Sequence, residues 1–144
     1  MFRQKQAGFT LLELLVVLLI IGLLAGFVGP RYFSQISNSK IQMTKAQIDA
    51  FEKGLDQYRI DVGQYPTTDQ GLKALYSMPS AGVANWHGPY IQKAVPLDPW
   101  GNQYVYNSPG GANPDATKRD YDIISYGRDG APGGSGEDAD ITSY

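Results

Sequence analysis

The chain has 144 residues, no cysteine, one histidine and a net charge of −2. Without cysteine it has neither a disulfide staple nor a thiol nucleophile, and a lone histidine offers no evident Ser/His/Asp constellation. The slight negative charge argues against a nucleic-acid surface, and no phosphate-cradling motif is present.

The chain begins MFRQKQAGFTLLELLVVLLIIGLLAGFVGP. Arg3 and Lys5 form a short basic leader, and from Phe9 to Val28 the only ionisable side chain is Glu13. That run matches the ~20 apolar residues that cross a bilayer as a helix. It is too long for a secretory signal, whose core is usually ~7–15 residues and ends in a small-residue cleavage site. Arg31 and Lys40 follow it, so charge orients it only weakly, with the leader inside and the C-terminal bulk outside. A carboxylate in a membrane costs roughly 2.5–3.5 kcal/mol and marks a function or a partner. Glu13 reads either as a snorkelling residue one turn into the helix or as a charge awaiting a cation. The nearest candidate cation is a new amino terminus at Phe9 on a neighbouring subunit.

The run Gly8-Phe9-Thr10-Leu11-Leu12-Glu13 resembles the prepilin cleavage motif of type IV pilins and type II secretion pseudopilins. The resemblance implies a prepilin peptidase that cuts between Gly8 and Phe9 and N-methylates Phe9. It also implies a role for Glu13 in registering subunits during assembly.

Gly22, Gly26, Gly29 and Pro30 cluster where the apolar run ends. Gly22 and Gly26 read as a close-packing pair or as ordinary membrane-helix glycines. As weak helix formers, the four also make this stretch a candidate to unwind in a filament. Beyond Pro30, Ile41, Thr44, Ile48, Phe51, Leu55, Tyr58 and Val62 recur at three- and four-residue spacing, which predicts one helical face covering a small sheet. From Phe9 to Val62 the helix would extend roughly 80 Å at 1.5 Å per residue, with Gly63 as its stop. Glu52 and Asp56 lie one turn apart, either as a solvated acidic face or as partners for Lys93 of the next subunit.

Thr67 followed three positions later by Gln70 predicts a capped short helix to about Tyr76. The loop from Pro79 to Pro89 holds His87, read as a surface or packing residue. Trp100, in Asp98-Pro99-Trp100-Gly101-Asn102, reads as a core anchor beside a turn. Gln103 to Tyr106 and Tyr121 to Ser125 read as strands. Two or three antiparallel strands against the long helix give an α+β fold.

YPTTDQGL and DPWGNQY resemble landmarks of the type II secretion major pseudopilins more than of type IV pilins generally. The stretch from Gly127 to Asp140 is rich in glycine and oxygen donors but lacks the EF-hand pattern, and by composition alone it reads equally as a disordered acidic tail. The resemblance implies a Ca²⁺-binding loop over 126–140. Asp129 and Asp138 would give carboxylates, Tyr126 and Ala131 backbone carbonyls, and Ser135 an oxygen, with Asp140 as a second-choice ligand or a tether. The ending Thr142-Ser143-Tyr144 departs from the Gly-Asn-Trp type of the family, with Tyr144 as a candidate aromatic lid.

The organisation expected is a cleaved leader at 1–8, a transmembrane and assembly helix at 9–29, an amphipathic stalk helix at 30–63 and a small α+β domain at 64–144. The resemblance implies a non-enzymatic, single-pass inner-membrane subunit with its C-terminal domain in the periplasm. It would polymerise with itself and with minor pseudopilins on a membrane assembly platform, and push cargo through an outer-membrane secretin. A type IV pilin for adhesion, motility or DNA uptake is the alternative, and a membrane-anchored calcium-binding receptor the second.

Overall fold

The computed structural model describes residues 8–80, 82–111 and 119–144. Leader residues Arg3 and Lys5 lie outside the described residues. One helix, α1, runs Leu11–Val62. Three short strands come after it, β1 Val105–Asn107, β2 Asp122–Ser125 and β3 Ile141–Thr142. They form an antiparallel sheet in the order β1-β2-β3. The architecture is α+β, with α1 packed on the sheet. The chain divides into two compact units, Met1–Ile36 and Ser37–Tyr144.

In the first unit α1 is long and apolar enough to cross a membrane, and none of that stretch is buried within the chain. Gly22, Gly26, Gly29 and Pro30 all lie inside the helix. Pro30 has no N–H to donate to the preceding turn, so the ladder lacks one bond there. The unwinding anticipated from these residues concerns the filament.

The second unit is organised by the face read from the sequence. Thr44, Ile48, Phe51, Leu55 and Tyr58 are buried, and Ile41 and Val62 pack at the margins. They meet Leu72, Leu75, Tyr106, Ile123 and Ile141 in one core. Burying each large apolar side chain contributes about 1.5–3 kcal/mol, which is how so thin a domain holds without disulfides. Phe51 meets Tyr104 edge to face at 5.1 Å, and Tyr58 meets Tyr90 at 5.5 Å. Gly54 lets the loop over α1 come close, since a Cβ there would sit 3.2 Å from Ile91. Gly63 stops the helix at φ +90°, its N–H donating to the Arg59 carbonyl at 2.8 Å.

The anticipated helix to Tyr76 is instead a turn followed by a 3-10 turn over Leu72–Leu75. Thr67 and Gln70 do bond reciprocally, Thr67 N–H to Gln70 Oε1 at 2.9 Å and Gln70 N–H to Thr67 Oγ1 at 3.3 Å. Gly71, at φ +59°, breaks the backbone before a full α-turn can propagate. The strand expected from Gln103 starts at Val105. In register, Tyr106 faces Ile123 and Ser125 faces Ile141, so the C-terminal residues close the sheet on the central strand.

Candidate functional site

Three regions carry the candidate functional residues. At the head of α1, Gly8 and Phe9 are exposed, Phe9 to 87%. Thr10 donates its N–H to Glu13 Oε2 at 2.9 Å and its hydroxyl to the same oxygen at 3.0 Å, while Glu13 N–H reaches Thr10 Oγ1 at 3.3 Å. This is a capping box, which satisfies two N–H groups that a helix start otherwise leaves open. It also sets a carboxylate at the positive end of the helix dipole. Glu13 therefore has an intrachain role that the sequence reading missed, although Thr10-x-x-Glu13 carries the same spacing recognised at Thr67-x-x-Gln70.

On α1 in the second unit, Glu52 is half-buried and Asp56 exposed. Asp56 Oδ1 accepts from the Tyr65 hydroxyl at 2.9 Å, and Arg59 lies over the Tyr65 ring at 5.0 Å and within 3.5 Å of Asp120. Glu52 borders a shallow polar cavity of about 330 Å³ with Tyr65, Arg119, Asp120, Tyr121 and Ser143. Desolvation first, and then the like charge of Asp49, push the Glu52 carboxyl above its usual range against the pull of Arg119. Lys93 is exposed and has no ion pair among the described residues. A single chain does not pair it with Glu52 or Asp56.

The C-terminal loop stands on a buried foundation. Asp98 is 4% exposed; its Oδ1 accepts from Trp100 N–H at 3.1 Å and Asn102 N–H at 2.8 Å, and its Oδ2 from the Ser125 hydroxyl at 2.7 Å. Ser125 Oγ in turn accepts from Gly127 N–H at 3.3 Å, and Asn102 Nδ2 donates to the Gly127 carbonyl at 2.6 Å. The Asp-Pro-Trp-Gly-Asn turn thus fixes the point where β2 becomes the loop. Trp100 packs on the core margin as anticipated, with its buried Nε1 lacking an acceptor among the described residues.

Beyond Gly127 the chain curls back, with Arg128 N–H donating to the Glu137 carbonyl at 2.8 Å. A Cβ on Gly127 would strike the Glu137 carbonyl, and one on Gly134 the Asp138 carbonyl, so backbone oxygens crowd inward where only glycine leaves room. Among the described residues no three His, Cys, Asp or Glu side chains converge. A hard cation here would have to draw on backbone and hydroxyl oxygens beside few carboxylates, the kind of donor set that the resemblance implies. Asp129 is exposed, with Oδ1 accepting from Ala131 N–H at 3.2 Å. Asp138 holds Arg128, and Asp140 accepts from Gly133 N–H at 3.0 and 3.1 Å as a tether. Ala131 and Ser135 are exposed and Tyr126 is half-buried.

The chain matches two family models, Type II secretion system (T2SS), protein G over residues 31–144 and the Prokaryotic N-terminal methylation motif over residues 3–29. A type II secretion system core protein G of Pseudomonas aeruginosa is 42% identical over 146 residues, spanning 100% of this chain and 99% of the relative. The protein of that name from Vibrio cholerae is 44% identical over 143 residues, covering 98% and 93%. Among solved structures, the major pseudopilin from the type 2 secretion system of enterohaemorrhagic Escherichia coli matches with a TM-score of 0.58 and 35% identity, over 76% of this chain and 90% of that one. With an N-terminal methylation motif on an exposed apolar helix and a small α+β domain beyond it, the chain belongs to the type II secretion system protein G family, the major pseudopilins.

Proposed function

We propose that this pseudopilus subunit is stored in the inner membrane with its C-terminal unit in the periplasm, cut between Gly8 and Phe9, methylated at Phe9 and drawn into a helical homopolymer. The observation that carries this is the exposed apolar stretch at the start of α1. Water is a poor solvent for it, so it needs either lipid or copies of itself. Head-to-tail copies related by a rotation that does not close give a filament. Prepilin peptidase, minor pseudopilins and the inner-membrane assembly platform are its working partners, and growth would push folded cargo through the secretin. The subunit carries out no reaction of its own.

Glu13 would serve twice in this scheme. In the stored subunit its carboxylate is occupied by Thr10, which lowers the cost of a charge at the membrane edge. After cleavage the Phe9 amine of a neighbour gives it a stronger, cationic partner. Glu52 and Asp56 would meet Lys93 of the adjacent subunit along the filament. Tyr126, Asp129, Ala131, Ser135 and Asp138 would hold Ca²⁺, with Asp140 tethering the loop. Bound calcium would supply the cross-link that a cysteine-free domain lacks.

The test is Glu13→Ala in cells that carry the secretion system. Membrane insertion and leader cleavage should persist while filaments disappear. Filaments of normal abundance would overturn the assembly role of Glu13. Reversing Glu52 and Asp56 to Lys should also block assembly, and adding Lys93→Glu should restore it.

A further inference from the structure

The C-terminal loop carries a cation of its own. Arg128 Nε donates to Asp138 Oδ1 at 2.8 Å and Nη2 to Asp138 Oδ2 at 2.9 Å, a two-pronged pair that takes both carboxylate oxygens. Nη1 reaches Glu137 Oε2 at 3.2 Å. Asp138 is one of only two carboxylates in the ligand set put forward for calcium, and with both oxygens engaged by a guanidinium it offers a metal ion only its remaining lone pairs, beside a fixed positive charge that repels the metal.

We propose that Arg128 is an internal competitor for calcium, holding Asp138 when the metal is absent and setting the concentration at which the loop loads. The inference rests on the calcium reading of the loop. The guanidinium stays charged at any physiological pH, so the competition is constant and is not tuned by protons. The Arg128 side chain is 59% exposed against 29% for Asp138. An arginine so placed can swing into water at small cost, so it raises the loading threshold by a modest factor and does not block the site. Glu137 gives it somewhere to go, since that pair can persist after Asp138 is released. The same contact keeps the metal-free loop closed, because charge and the Arg128–Glu137 backbone bond join the same two segments.

A purely structural ion pair and a competitor have different signatures. Losing a structural pair would loosen the loop and weaken calcium binding together with metal-free stability. Losing a competitor moves them in opposite directions. The experiment is calorimetric titration of calcium into the full chain in detergent micelles, with a thermal melt of each variant in chelator. Arg128→Gln should bind calcium roughly three- to tenfold more tightly than the parent while melting lower in chelator. Arg128→Lys keeps the charge and should return the dissociation constant toward the parent value. Asp129→Asn should lose binding, which assigns the heat to this loop. Equal or weaker binding by Arg128→Gln, with the parent binding normally, overturns the inference and leaves the calcium reading standing. Absence of calcium binding by the parent overturns the calcium reading and the inference with it.

Discussion

Replacing Asp98 with alanine should be among the most damaging single changes outside the apolar core. Its carboxylate accepts from Trp100 N–H, Asn102 N–H and the Ser125 hydroxyl at 3.1, 2.8 and 2.7 Å, and the residue is 4% exposed. Alanine would leave three donors without their acceptor in a place water scarcely reaches. At the low end of about 1–3 kcal/mol for each orphaned donor, the loss is about 3 kcal/mol. In a domain of about 100 residues, 1 kcal/mol moves Tm by about 4–8 °C, so Asp98→Ala should melt about 12–24 °C lower. Asp98→Asn keeps one oxygen for both backbone groups and offers an amide to Ser125, whose hydroxyl can turn to accept, and should cost about 1 kcal/mol. The assay is a near-UV circular dichroism melt of the full chain in detergent, with chelator present so that metal does not vary. A loss below about 1 kcal/mol for alanine, or asparagine as harmful as alanine, would refute the reasoning that acceptor geometry at Asp98 holds the loop foundation together.

Glu52 has a folded-state pKa above its ordinary value, so the folded chain binds its proton more readily than the unfolded one does. Its contribution opposes folding once pH rises through that raised value and disappears as pH falls toward the ordinary one. Glu52→Gln should therefore be slightly more stable than the parent at about pH 7 and equal to it near pH 4, as read by urea midpoints across that range; a variant less stable at neutral pH would contradict the assignment. Calcium at one hundred times its dissociation constant should stabilise the full chain by about 2.7 kcal/mol over chelator, and Asp129→Ala should abolish the difference. Identical parent melts in calcium and chelator would remove the metal assignment. Thr10→Val deletes the hydroxyl of the capping box at a cost of about 1 kcal/mol to the helix start. Hydrogen exchange should then quicken at residues 11–14 and stay unchanged in the second unit, whereas unchanged exchange at 11–14 would show the cap to be dispensable.

The buried face of α1 was legible because three- and four-residue spacing of large side chains has only one helical solution, and Ile48, Phe51, Leu55 and Tyr58 all lie in the core. Gly63 was legible for a similarly local reason, since a glycine after the last periodic residue is the usual helix stop. The turn after Pro66 was half legible. The Thr67–Gln70 bonds form as their spacing implies, but the left-handed Gly71 sets the path of the backbone beyond them, and a glycine in sequence does not announce its φ. The role of Asp98 was out of reach because its partner Ser125 lies 27 positions away and only the folded sheet brings the two together. Likewise the pairing of Arg128 with Asp138 depends on the loop curling back on itself, and the sequence offered Asp138 only as an implied metal ligand and gave Arg128 no role. The strand Ile141–Thr142 is too short to show any alternation and exists because β2 offers it an edge.

The most direct measurement is mass spectrometry of the chain purified from filaments seen by negative-stain electron microscopy, after co-expression with prepilin peptidase and the assembly platform. Filaments built of chains that begin at N-methylated Phe9 are the expected result. Filaments made of chains with the leader intact, or a processed chain that stays monomeric in the membrane with every assembly component present, would contradict the reading of this protein as a processed, self-assembling pseudopilin.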